Sequence, residues 1–208
     1  MQSPIKRKPS GRGRPEMSLE QRQQMRLRIS TVAKLLFRQE GYAKVSMRKI
    51  AKEIGCTPMT LYGYYAGKID VLKSLWGGVF EEVFGELKAL PFDPDAAHYL
   101  RALSLAYVDY WIRHPDYYRL VFMAEGVTQP DVSLFVDNPE IVAHYSIFLL
   151  SLQKLYSDRT EADVKQAFDF MLSTLHGIAH NRITISGYEW SSPESQIEFI
   201  VRAFLADA

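Results

Sequence analysis

Helix-start signals recur along this chain and constrain it to a helical fold. A Ser, Thr, Asp or Asn stands ahead of nearly every apolar-periodic stretch: Ser18, Ser46, Thr57 before Pro58, Asp93 before Pro94, Asn138 before Pro139, Thr160, and Ser192 before Pro193 and Glu194. Such side chains accept from the free N–H groups of a first helical turn, and a proline at the first position sacrifices no bond there. Behind the signals, apolar residues recur at three and four, as in Met25, Ile29, Val32 and Leu36. No segment alternates as a strand would. The expectation is an all-α fold of about nine helices. They cover roughly 18–39, 46–54, 57–64, 68–88, 93–114, 115–124, 138–156, 160–186 and 192–208.

Charge is divided unevenly between the two ends. Residues 1–76 carry 16 Lys and Arg against five Asp and Glu, whereas the remainder carries nine against 19. A polyanion-binding head on an acidic body is the expected consequence. Residues 1–17, rich in Pro, Gly and basic side chains, read as a disordered arm; 18–67 read as the head and 68–208 as the body. With 208 residues, 47% of them hydrophobic, the chain can bury a real core. Its single cysteine, Cys56, rules out an intrachain disulfide. No apolar run approaches the roughly 18 residues a membrane span needs, and the basic start lacks a signal peptide's apolar stretch. A cytoplasmic protein with no membrane partner is expected.

Within the basic half, two short helices meet at a tight Gly55-Cys56 turn, the pattern of a helix-turn-helix. The surrounding residues are Phe37, Gly41 and Tyr42, then Ser46 and Ile50-Ala51, then Gly55, then Leu61-Tyr62-Gly63-Tyr64-Tyr65, and finally Lys68. In order and spacing this stretch resembles the DNA-binding domain of the TetR family. The resemblance implies that Thr57, Met59 and Thr60 open the recognition helix and face bases or nearby phosphate. It likewise implies phosphate contacts from Ser46, Tyr62 and Lys68, a DNA-facing Tyr64, and inward-pointing Leu61 and Tyr65. Met59, Gly63 and Ile69 depart from the family pattern, so no relative's operator sequence carries over. Gly63, read as interior to the recognition helix, is expected to cost about 1 kcal/mol relative to Ala. In the arm, Arg12-Gly13-Arg14-Pro15 resembles an AT-hook core. Arg12 and Arg14 either enter a narrow minor groove or belong to a basic tail that only raises non-specific affinity.

The acidic half is aromatic-rich. His114-Pro115-Asp116-Tyr117-Tyr118-Arg119-Leu120 and Leu175-His176-Gly177 resemble segments of one TetR C-terminal subgroup. That resemblance implies a homodimer joined by the last two helices and an effector cavity in each body. It also implies a ligand that shifts the population between two spacings of the heads. Apolar faces suited to burial or dimerisation are Phe168, Met171, Leu172, Leu175 and Ile178 on one helix, and Ile197, Ile200, Val201 and Phe204 on the next. Candidate ligand contacts are Tyr107, Tyr110, Trp111, Phe122, Tyr145, Phe148, His176 and His180, aromatic groups with a few polar tips. His176 and His180 share a helix face, but the sequence offers no evident third metal ligand, and no metal or other cofactor is expected. Nor is there a phosphate loop or nucleophile motif, so an enzyme is not expected. The expected function is a repressor released from a palindromic operator by a small, largely apolar effector. The alternative is a ligand-independent architectural or activating DNA-binding protein.

Overall fold

A computed structural model describes residues 18–128, 130–132 and 138–207. Ten helices are described in full, three further helical residues stand at 130–132, and the described residues include no strand. The helices are α1 (Leu19–Glu40), α2 (Met47–Ile54), α3 (Pro58–Tyr62), α4 (Lys68–Lys88), α5 (Ala96–Arg113), α6 (Pro115–Phe122), α7 (Pro139–His144), α8 (Ser146–Leu155), α9 (Glu161–Thr184) and α10 (Pro193–Asp207). Among the described residues no helix is long and apolar enough to cross a membrane.

The caps explain most of the boundaries. Ser18 accepts from the Gln21 N–H while the Gln21 side chain accepts from the Ser18 N–H, a reciprocal box that starts α1. Thr160 and Asp163 form the same device at α9. Ser46 and Thr57 accept from the amides of Lys49 and Thr60, and Pro58 occupies the first turn of α3. Gly55 ends α2 in the left-handed region at φ 78°, where a Cβ would crowd the backbone; its N–H and that of Cys56 return to the last carbonyls of α2.

Three expectations need correction. The fifth helix does not start at Asp93-Pro94. Asp95 is the cap, accepting from Ala97 and His98, and Asp93 instead accepts from the Asp95 N–H. The stretch expected as one helix over 138–156 is two, α7 and α8, meeting at Tyr145. Gly63 is the C-cap of α3, not part of its interior, so the expected helix penalty does not apply.

Two apolar cores form. One runs from Ile29 to Trp76 and holds α1, α2, α3 and the start of α4; the other runs from Val79 to Phe204. Helix α4 passes through both, the division falling between Trp76 and Val79. In the second core α5 is central, packing against α8, α9 and α10. Helix α6 turns back toward the head. Leu120, Val121, Ala124 and Val127 pack on the head core, and the Trp76 indole N–H donates to the Leu120 carbonyl at 2.9 Å. Lys34 of α1 meets the Tyr117 hydroxyl, and Arg38 lies 3.7 Å from Asp116.

Candidate DNA-facing head and effector cavity

The head presents α3 outward on an apolar anchor. Leu61 is fully buried and Tyr65 nearly so, both inside the head core, as the resemblance implied. On the other side, Met59 is 79% exposed and Tyr62 52% exposed. Thr57 is exposed and Thr60 half-buried, their hydroxyls 2.9 Å apart, so part of their hydrogen-bonding capacity serves the helix start itself. Ser46 is exposed at the start of α2, and Tyr64 is half-buried with the Arg22 guanidinium 5.9 Å from its ring centre. Lys44, Arg48 and Lys52 are exposed cations on the same head. Arg12 and Arg14 lie outside the described residues.

Lys68 is placed differently from a free phosphate-binding lysine. Its ammonium donates to the carbonyl oxygens of Tyr42 at 2.8 Å and Ala43 at 3.4 Å, and it sits 4.0 Å from the Tyr42 ring centre. Burial lowers its pKa. Two of its three N–H bonds thus tie the start of α4 to the turn between α1 and α2, and one remains for an outside acceptor.

In the body, a cavity of about 320 Å³ opens between α4, α6, α7, α8 and α9. Its walls repeat at steps of four along each helix: Trp76 and Phe80 from α4, Ile141, Tyr145 and Leu149 from the α7–α8 stretch, and Phe168, Leu172 and His176 from α9. Val121, Phe122, Val132 and Val142 complete it. Of the eight candidate ligand contacts, Phe122, Tyr145 and His176 reach the cavity. Tyr107, Tyr110, Trp111 and Phe148 are fully buried in the body core and do not line it, and neither does His180. Large aromatics on the central α5 are consumed by helix packing. The lining that was missed has its own signal, the four-residue spacing of Phe168, Leu172 and His176, which puts them on one helix face.

Tyr107 nevertheless supports the cavity from behind. Its hydroxyl lies 3.0 Å from His176 Nε2 and 3.4 Å from the Tyr145 hydroxyl. Burial pushes the His176 pKa down to about 4 and the Tyr145 pKa up to about 12. Burial also raises Tyr107. All three are therefore neutral near pH 7. The Tyr110 hydroxyl and the Trp111 indole N–H are buried and make no well-formed hydrogen bond, although Glu82 lies near the first and the Tyr107 hydroxyl near the second. Among the described residues no group of three His, Cys, Asp or Glu is placed to hold a metal ion.

A basic helical head with an outward α3, continuous through one helix with a body that carries an apolar cavity, is the arrangement of helix-turn-helix regulators. Residues 29–75 match the family described as bacterial regulatory proteins, tetR family. The chain is 30% identical over 113 residues to the HTH-type transcriptional activator FasR of Mycolicibacterium smegmatis, spanning 54% of this chain and about half (52%) of that relative's length. A TetR/AcrR regulator from Thermobifida fusca shares the fold at a TM-score of 0.54 and 24% identity, covering 88% of this chain and 97% of that one. FadR from Bacillus subtilis, solved in complex with stearoyl-CoA, does so at a TM-score of 0.64 and 17% identity, covering 88% and 98%. Residues 29–75 thus carry a TetR-type DNA-binding segment, and the chain shares the fold of TetR/AcrR regulators.

Proposed function

We propose that this protein is a homodimeric, sequence-specific DNA-binding repressor that a small, largely apolar effector releases from a palindromic operator. The observation that carries the reading is the course of α4. Its first residue, Lys68, is bonded to the head turn, and Trp76 and Phe80 further along form part of the cavity wall. An effector that favours a different cavity shape therefore acts on the same rigid rod that sets the head's position. The shift it can cause equals its differential affinity for the two shapes.

In this reading Ser46, Thr57, Met59, Thr60, Tyr62, Tyr64 and Lys68 face DNA, and Arg12 and Arg14 of the arm add to the contact. The stearoyl-CoA bound by FadR supports an effector with an apolar chain. Exposed apolar side chains on α9 and α10 support the second copy: Phe170 at 56%, Phe199 at 72% and Leu205 at 46% exposure. Met171, Leu175, Ile178, Ile197, Ile200, Val201 and Phe204 are buried within the protomer and serve its own core.

Selection of bound sites from a random DNA pool, followed by a salt titration on the winner, tests the proposal. A palindromic winner bound far more tightly than scrambled DNA is expected. Diffuse A·T-rich enrichment would sink the operator reading in favour of an architectural role. The activator FasR motivates one further control, since the same geometry can serve either sign of regulation. Transcription from a promoter carrying the winning site falls when the protein binds if it is a repressor, and rises if it is an activator.

A further inference from the structure

The cavity wall has one polar corner, and its chemistry narrows what the cavity can hold. Most of the wall is aliphatic or phenyl. The Trp76 N–H is already committed to the Leu120 carbonyl, which leaves the Tyr145 hydroxyl and the His176 ring as the polar groups of the described lining. No Lys or Arg belongs to that lining. Lys73, three residues before Trp76 on α4, is ion-paired with Asp131 at 4.0 Å.

Behind the corner, Tyr107 bridges Tyr145 and His176 through its hydroxyl. Three groups in a row share two hydrogen bonds. In one direction Tyr145 donates to Tyr107 and Tyr107 donates to Nε2, which leaves His176 with an N–H at Nδ1 and Tyr145 with free lone pairs. In the other, Nε2–H donates to Tyr107 and Tyr107 donates to Tyr145, which leaves Tyr145 with a free O–H. Either way the row is uncharged and ends in one spare donor and one spare acceptor. It can meet an alcohol or a carbonyl equally well by reversing. A carboxylate would lose its water among apolar walls with no cation to offset it.

Building on the reading of the body as an effector site, we propose that the effector held in this cavity is an uncharged molecule. It has an apolar chain or ring of modest size and one hydroxyl or carbonyl oxygen held at the Tyr145–Tyr107–His176 corner. A volume of about 320 Å³ lies at the small end of ligand pockets. Octan-1-ol, octanoate and octane are suitable probes because they share one chain and differ at its end. They are titrated into the full-length protein near neutral pH, read by calorimetry and by the melting temperature. Octan-1-ol is expected to bind at least tenfold more tightly than octanoate. Tyr145→Phe, which keeps the ring, is expected to weaken octan-1-ol about fivefold, the loss of one hydrogen bond, and to leave octane unchanged. Unchanged octane binding also shows that the variant's cavity is folded.

Octanoate or octanoyl-CoA binding as tightly as octan-1-ol would overturn the proposal, and so would a Tyr145→Phe loss equal for octane and octan-1-ol. DNA affinity is measured separately on the selected operator. Octan-1-ol binding that leaves DNA affinity unchanged supports the chemistry of the corner and removes the release function. Intact operator binding with no response to octan-1-ol removes the uncharged effector and leaves the DNA reading standing.

Discussion

His176 illustrates how a residue's role depends on what covers it. On α9 it lines the cavity and packs its ring against Tyr107, Tyr118 and Phe122. Burial lowers its pKa from 6.5 to about 4. Between those values the unfolded chain holds a proton that the folded chain refuses, so stability is full above pH 6.5 and is lost as pH falls toward 4. This one group accounts for about 3 kcal/mol over that window. His176→Gln should flatten the melting-temperature profile across it. A variant profile that superimposes on the wild type would move the acid sensitivity to the carboxylates. Lys68 makes the complementary case. A pure phosphate contact changes DNA affinity and lowers the salt slope by about one without touching stability. Because the ammonium also holds the Tyr42 and Ala43 carbonyls, Lys68→Gln is expected to lower the melting temperature of the free protein as well as its DNA affinity. An unchanged melting temperature would return Lys68 to a phosphate-only role.

Helix α6 is short, and its position matters more than its length. Its Val121 and Phe122 touch the cavity, while Leu120 and Val121 pack on the head core. A hydrogen bond from the Trp76 N–H to the Leu120 carbonyl and an edge-on contact between Phe80 and Phe122 join it to α4. Trp76→Phe keeps an aromatic ring but strands that carbonyl, at a cost of about 1–3 kcal/mol. The expected outcome is operator binding retained in the absence of effector and a weaker response to it, measured by fluorescence anisotropy of labelled operator. Full response would show that α4 and α6 communicate through packing alone. The helices themselves were largely legible because their caps are local: Ser18, Ser46, Thr57 and Thr160 each act within three residues. The break at Tyr145 was not, since residues 140–156 contain neither glycine nor proline. There the chain leaves its helical course while Tyr145 packs among Phe80, Phe84 and Phe168, partners that are remote in sequence.

Across the entire protein, the charge division has a structural counterpart in two cores joined by one helix. Two recognition helices separated by one turn of DNA, about 34–36 Å, require a second copy. The exposed Phe170 and Phe199 are the side chains whose burial that copy would supply. Phe199→Glu, at a position 72% exposed, should leave the protomer folded, convert a dimer to a monomer in sedimentation, and abolish tight binding to a palindromic site. A variant that stays dimeric would place the seam elsewhere. The order of the last two helices was readable in advance, but the division of their faces was not. Helical periodicity marks an apolar stripe without saying whether a neighbouring helix or another molecule covers it.

The order of elements, the helical class and the basic head followed from local chemistry: caps that bond within a turn, glycine in the left-handed region, and charges counted along the chain. The cavity is a different kind of property. Its walls come from α4, α6, α7, α8 and α9, and no sequence window contains more than a few of them. Tyr107, Tyr110, Trp111 and Phe148 look as suitable for a ligand as Tyr145 and Phe122. Packing put the first four inside the core and left the other two at the edge of empty space. Which aromatic fills a core and which lines a hole depends on how distant helices come together, and only tertiary structure decides that.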